Sequence, residues 1–310
     1  MNPADWIGRN ETIHDHLSHN LLKRIAATFG DTAPVQGELM PPLWQWCFFQ
    51  EPMPESALGG DGHPVRGGFL PPADNRNRMW AGGRIEFFHG LRVGESASRV
   101  STITQVEEKT GRTGSLLFVT VRHDYSQGSR LAIREEQDIV YREPTPPKQG
   151  FGEALAAGEW CESIEPTPTL LFRYSAVTFN GHRIHYDYPY VTGTEGYPGL
   201  VVHGPLIATL SLRAFCRAHP QATLRRLVYR GVRPLIAPQP FEVGVRALCA
   251  EFDAGYWRRI DQEKAFPEAF VKALTHAGWL AAMIPLEYGG AGLGLPGYRG
   301  RCAGRGGLPD

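Results

Sequence analysis

Two short segments hold the residue types that move protons. Residues 178–187, TFNGHRIHYD, bring Asn180, His182, His185 and Asp187 close together in the chain. Residues 199–210, GLVVHGPLIATL, add His203 and Gly204 immediately before an apolar run. Three readings fit the first segment. His182, His185 and Asp187 have the spacing H-x-x-H-x-D, and imidazole with carboxylate suits zinc or iron; no second ligand cluster accompanies them. A hydrogen-bonded polar turn at a strand end is the second reading. The third is acid/base catalysis, because histidine exchanges protons readily near neutral pH. Asn180 would then hold a water or a substrate oxygen without adding charge.

The HGPL stretch favours the third reading. It opens a predicted helix over 201–219, where Leu206, Ile207, Leu210 and Ala214 fall on one face, Pro205 suits the first turn and Pro220 marks the stop. A helix N-terminus offers unpaired N–H groups and positive dipole to an oxyanion. Gly204 is the natural donor, since without a Cβ it lets a thioester oxygen come close, whereas Pro205 has no N–H. A histidine base and an oxyanion donor are what addition of water across an α,β-unsaturated thioester requires. The thioester itself acidifies the α-carbon, so no cofactor and no metal are expected.

Other elements must position these groups. Leu17, Leu21, Leu22 and Ile25 mark one face of a helix within residues 1–35. An aromatic segment, GELMPPLWQWCFFQ, follows at 37–50. Residues 51–78 are rich in glycine and proline and form a long loop, the kind that is often functional in a compact domain. Strands are predicted at 84–88, 98–108, 115–125 and 131–143, with alternation at Val100, Thr102, Thr104 and Val106 and at Leu117, Val119 and Val121. The breaks KTGRTG and SQGS suit antiparallel hairpins. PTPPKQG at 144–150 is a linker. TLLFRYSAVTFN (169–180) then leads into the histidine segment, with further strands at 225–232 and 241–249. Each half therefore offers one helix and an antiparallel strand set, an α+β plan used twice.

Bulk composition limits the alternatives. At 310 residues two domains are expected. Thirty-two basic residues balance 32 acidic ones, which removes the general electrostatic case for nucleic acid or an anionic membrane surface. The five cysteines are widely spaced and odd in number, arguing against a disulfide framework. The first residues carry charges and no apolar core of a secretion signal, and no apolar run approaches the roughly 20 residues of a membrane span. A soluble, cytoplasmic protein is expected.

The residues now point to a family. TFNGHRIHYD together with EGYPGLVVHGPL resembles the MaoC-like (R)-specific enoyl-CoA hydratases and dehydratases, and within them the subgroup of mitochondrial 3-hydroxyacyl-thioester dehydratases and mesaconyl-C4-CoA or itaconyl-CoA hydratases. PPLWQWCFF at 41–49, DGHPVRGGFLPP, RMWAGGRIEF and EEQDIVYRE resemble the same subgroup, so the likeness spans about residues 5–248. It implies a double hot-dog, two antiparallel sheets each wrapping a helix, with one active site per chain. Residues 1–150 would supply the acyl pocket and 151–250 the catalytic hot-dog, shortened at its last strand. The family motif D-x-N-P-x-H-x-D aligns His185 with the catalytic histidine. Its aspartate falls on Asn180 and its asparagine on His182, so the resemblance implies that His185 carries the proton transfers, Asn180 positions water and His182 assists. Asp187 and His203 support them. An acyl-CoA is the implied ligand, steadied by arginines among Arg66, Arg78, Arg84 and Arg183, and the resemblance admits a homodimer. A non-catalytic acyl-CoA-binding protein and a thioesterase remain open alternatives.

Residues 256–295 resemble a different family, the first helices of acyl-CoA dehydrogenases. Without that family's flavin-binding core or catalytic region, no dehydrogenase activity is expected. The closing glycine-rich residues resemble neither family. GGAGLG has no strand before it and no helix after it, so it is not a nucleotide loop.

Overall fold

The computed structural model describes residues 3–65, 67–73, 76–111, 114–143, 160–231, 233–245 and 259. The predicted helix at 256–285, the glycine-rich end, the 144–150 linker and Arg66 lie outside them.

Strand β1 (Asn10–His16) leads into helix α1 (His19–Phe29). Ser18 caps α1 by accepting from the Leu21 N–H, and Gly30 closes it in the left-handed conformation. Leu22, Ile25, Ala26 and Phe29 form its buried face. Four long strands follow: β2 (Asn77–Phe87), β3 (Ser96–Gly111), β4 (Gly114–Gln127) and β5 (Arg130–Arg142). After β6 (Trp160–Ile164) come helices α2 (Pro168–Val177), α3 (Tyr188–Gly193) and α4 (Gly204–Ala218), then β7 (Arg226–Arg230) and β8 (Phe241–Val245).

One sheet has the order β1-β3-β4-β5-β2-β7, antiparallel throughout. β7, from the second half of the sequence, therefore extends the sheet of the first half through its pairing with β2. By contact the chain forms two units. The first is Met1–Pro147 with Glu165–Pro240, and the second is Lys148–Ile164 with Phe241–Asp310, in which β6 pairs with β8.

The alternation in β4 is as predicted, with Leu117, Val119 and Val121 buried. They join Trp6, Ile103, Ile139 and Tyr141 in one core cluster. At about 1.5–3 kcal/mol for each large side chain buried, this face fixes the register. In β3 the predicted alternation marks the other face at first: Val100 is exposed while Ser101 and Ile103 are buried. A bulge between Ile103 and Gln105 then turns Val106 towards the core cluster.

Two findings go beyond the sequence reading. The lead-in to the histidine segment, assigned to no element from the sequence, forms α2, because Thr167 accepts from the Leu170 N–H and Pro168 sits in the first turn. Cys47 and Cys216 are free thiols, but Cys161 is disulfide-bonded. Sequence spacing alone does not exclude a bridge that folding brings together.

Candidate active site

The TFNGHRIHYD segment is a compact loop between α2 and α3. The Asn180 N–H donates to the Ser175 carbonyl at 2.8 Å, and the Asn180 side-chain oxygen accepts from the His182 N–H at 3.0 Å. That oxygen is thereby used within the loop, and the amide NH2 is the part of Asn180 left to meet a water. A short 3-10 turn, Arg183–His185, then buries His185. Its Nδ1 lies 2.6 Å from the Val201 carbonyl oxygen. A carbonyl only accepts, so Nδ1 carries the hydrogen and Nε2 carries the lone pair.

His203 is the N-cap of α4 and is buried. Its Nε2 shares a 2.8 Å hydrogen bond with Ser175 Oγ, and its Nδ1 has no hydrogen-bond partner among the described residues. The His203 and His185 rings stack with centroids 3.6 Å apart. His182 meets His185 edge-on at 5.3 Å. Gly204, the first residue of α4, lies against Trp80 of β2: a Cβ there would sit 2.4 Å from the indole Cε3. Of the predicted residues, Asn180, His182, His185, His203 and Gly204 thus belong to one site.

Asp187 does not face it. Its carboxylate accepts from Arg183 at 2.7 Å and caps α3 through the Tyr190 N–H. Arginine thereby holds Asp187 below the ordinary carboxylate range. The H-x-x-H-x-D metal reading therefore loses its carboxylate. Among the arginines, Arg84 is engaged by Glu136 and Asp138 and Arg183 by Asp187. Arg78 is exposed and its side chain makes no hydrogen bond or ion pair among the described residues, yet it lies close enough to His182 to disfavour that ring's protonation.

Sequence reasoning missed Asp61 and His63. They come from the long glycine-rich loop, which locks onto the histidine loop: Asp61 O accepts from the Arg183 N–H and Gly60 O from Arg183 Nη1, both at 2.9 Å. Gly62 is left-handed at φ 85°, and a Cβ on it would sit 2.0 Å from the Gly181 carbonyl oxygen. Only glycines permit that approach. The His63 ring lies 4.0 Å from the His182 ring, and its Nδ1 is 3.3 Å from Asp61 Oδ2. Donor atoms of Asp61, His63 and His182 all lie within 4.8 Å of one another, close enough to surround a cation.

Burial sets the charge of this cluster. It lowers His185 to about 3, helped by the neighbouring His182. His182 is lowered to about 3 by burial and then by His63. Burial also drives His203 well down, with His185 adding to it. For Asp61 burial acts upward but is outweighed by hydrogen bonds and charge from His63, so the carboxyl stays below its usual range. These shifts predict acid sensitivity. An unfolded histidine takes up a proton near pH 6.5, while folded His182 and His185 do so only near 3. Between those values the unfolded chain binds more protons, so stability falls as pH falls. The urea midpoint should drop steadily from pH 7 to pH 4.5; a midpoint independent of pH would contradict buried neutral imidazoles.

Residues 43–237 match the hydroxyacyl-thioester dehydratase type 2 family. Over 259 residues the chain is 44% identical to mesaconyl-C(4)-CoA hydratase of Chloroflexus aurantiacus, covering 79% of this chain and 90% of that protein. The chain belongs to the hydroxyacyl-thioester dehydratase type 2 family. A member of this family is a hydratase or dehydratase, a hydro-lyase acting on acyl thioesters. Hydroxyacyl-thioester dehydratase type 2, mitochondrial, of Schizosaccharomyces pombe is 28% identical over 268 residues, 74% of this chain and 88% of that one. Two solved structures share the fold. The MaoC-like dehydratase of Phytophthora capsici aligns with a TM-score of 0.58 at 13% identity, over 78% of this chain and 87% of that one. HtdX of Mycobacterium tuberculosis gives 0.52 at 17%, over 75% and 86%. The expected α+β double hot-dog of this dehydratase family is thus borne out. Residues 239–299 match the acyl-CoA dehydrogenase N-terminal domain, the second resemblance read from the sequence. Among the described residues no helix is long and apolar enough to cross a membrane.

Proposed function

We propose that the enzyme reversibly hydrates a short α,β-unsaturated acyl-CoA, with a branched dicarboxylic acyl group such as mesaconyl-C4-CoA or itaconyl-CoA as the preferred class. The observation that carries this reading is the tautomer of His185. Its Nδ1–H is held by the Val201 carbonyl, so Nε2 presents a lone pair beside the N-terminus of α4. His185 takes a proton from water as the water oxygen bonds to Cβ. The Gly204 N–H receives the thioester oxygen as the enolate forms, in a buried setting where such a donor is most effective. The Asn180 amide orients the water, and His182 keeps that water close to His185. His203 stacks beneath His185 and fixes its plane. Arg78, uncommitted among the described residues, meets the distal carboxylate or a CoA phosphate.

This scheme uses no metal and no organic cofactor. It divides labour between residues 1–150, which cover the acyl group, and residues 151–250, which carry His185. A cytoplasmic location and a homodimeric state complete the proposal. The test is a panel of enoyl-CoAs followed by loss of the enoyl-thioester absorbance. Mesaconyl-C4-CoA or itaconyl-CoA should be consumed fastest. Binding without loss of absorbance would favour a carrier protein, and release of free CoA would favour a thioesterase.

A further inference from the structure

Ser175 lies on α2, outside both segments that carry the site residues, and is buried. It nevertheless holds one residue of each. Its carbonyl accepts the Asn180 N–H at 2.8 Å, and its Oγ lies 2.8 Å from His203 Nε2. Around His203, the Tyr174 ring stands edge-on at 5.0 Å and the His185 ring stacks at 3.6 Å with an interplanar angle of 20°. The direction of the Ser175–His203 bond follows from counting hydrogens. The hydroxyl has no other hydrogen-bond partner among the described residues, and neither has His203 Nδ1. If His203 donated through Nε2, the hydroxyl hydrogen and the Nδ1 lone pair would both go unmatched in a buried setting. If the hydroxyl donates to Nε2, only the Nδ1–H is unmatched. The second arrangement satisfies more groups, so His203 carries its hydrogen on Nδ1, as His185 does.

We propose that Ser175 is a positioning residue for the hydration step, acting through His203: its hydroxyl fixes the tautomer and plane of that ring, and the ring holds His185 in the orientation that presents Nε2. The inference rests on the hydratase reading above and deepens it. The bond from His185 Nδ1 to the Val201 carbonyl fixes one edge of the His185 ring and leaves its tilt to a face-to-face neighbour. His203 is that neighbour, and Ser175 holds the far edge of it. The arrangement also suits the charge that develops. When His185 takes a proton from water it becomes an imidazolium, and a second charged ring stacked at 3.6 Å would oppose that step. Burial, and then the closeness of His185, hold His203 well below the ordinary histidine range. The Ser175 hydroxyl occupies Nε2, the nitrogen of His203 that carries the lone pair. His203 therefore supports His185 without competing for its proton. The Asn180 N–H, held by the carbonyl of the same serine, ties the water-orienting amide to the same point of α2. No covalent bond forms or breaks at Ser175 or His203.

The experiment combines hydration kinetics on the best enoyl-CoA of the panel with ¹⁵N NMR of the histidine rings. It compares wild type, Ser175→Ala, Ser175→Thr, His203→Phe and the double variant Ser175→Ala with His203→Phe. Alanine is a good helix former and leaves the carbonyl bond to Asn180 in place, so Ser175→Ala removes the hydroxyl alone. Its kcat should fall by about 10–10²-fold, the scale of a small misplacement of reacting groups, with KM changed by less than about threefold. Ser175→Thr keeps an Oγ and should recover most of the rate. Phenylalanine at 203 keeps a ring against His185 but offers Ser175 no nitrogen, so adding Ser175→Ala to it should change kcat by less than about twofold. In wild type His203 should appear as the Nδ1–H tautomer. In Ser175→Ala it should become a mixture of both tautomers while His185 keeps its hydrogen on Nδ1. Wild-type kcat in Ser175→Ala, equal losses in the alanine and threonine variants, or an undiminished effect of Ser175→Ala beside His203→Phe would overturn the proposal and leave the hydratase intact. So would a wild-type His203 with its hydrogen on Nε2, or a His203 tautomer that Ser175→Ala does not alter. A wild-type enzyme that hydrates no member of the panel would remove both the hydratase reading and this inference.

Discussion

Replacing His185 should abolish nearly all turnover while leaving the fold in place. In His185→Ala the Nε2 lone pair is lost, and general base catalysis typically contributes about 10²–10⁴-fold to a rate. The same change also leaves the Val201 carbonyl without its Nδ1 donor, at a cost of about 1–3 kcal/mol for a buried unsatisfied group. His185→Gln separates the two effects. Its amide can still donate to Val201 and fill much of the ring volume against His203, but it cannot accept a proton from water. Glutamine should therefore keep a Tm near that of wild type and remain as inactive as alanine. Substantial hydration by a folded His185→Gln enzyme would remove His185 from its assigned role.

The second large effect is expected at Gly204. A methyl group there would meet Trp80 at 2.4 Å from Cε3 and 2.9 Å from Cζ3. Trp80 has little room to retreat, being stacked on Tyr229 at 4.4 Å and edge-on to Trp46 at 5.8 Å. Tyr229 is confined in turn, since its hydroxyl reaches the buried Glu135 and its ring covers Gly83. Gly204→Ala should cost about 1–3 kcal/mol through overpacking. Moving the first N–H of α4 off the thioester oxygen should lower kcat by about 10²–10³, the usual penalty for losing one oxyanion donor. The double variant Gly204→Ala with Trp80→Phe should recover stability, because the smaller ring removes the clashing atoms. Chemical denaturation and kcat/KM measured on wild type and both variants check this. A Gly204→Ala enzyme with wild-type kcat would show that the oxyanion is held elsewhere.

Much of the site was legible before the structure was known, for reasons that can be named. His185 and Gly204 sit in segments whose spacing and helix signals are local, so the chain writes them within a dozen residues. α4 was readable because Pro205 and the Leu206–Leu210–Ala214 face agree. The four long strands were readable from β-branched alternation, although the β3 bulge shifted which face is inward. α2 was not assigned from the sequence, because its mix of aromatic, β-branched and aliphatic residues has no decisive period. The Thr167–Pro168 start was the signal that would have found it. Asp187 looked like a supporting carboxylate, but its position four residues after Arg183 makes it a helix cap and ion pair instead.

Asp61 and His63 were not legible as site residues. They lie in a loop without periodicity, and nothing local says which distant segment that loop will touch. The fit of Gly62 against Gly181 and the Arg183 hydrogen bonds to Gly60 and Asp61 decide it, contacts between residues more than a hundred positions apart. The density of glycine at 51–78 indicated a functional loop without indicating its target.

The central claim is that water adds across the double bond and leaves the thioester whole. Turnover of mesaconyl-C4-CoA in ¹⁸O-labelled water, followed by mass spectrometry of the CoA product, tests it directly. The account predicts one ¹⁸O in the β-hydroxyl of an intact hydroxyacyl-CoA, formed by wild type and not by His185→Gln. Label found in the carboxylate of a free acid, with CoA released, would contradict it.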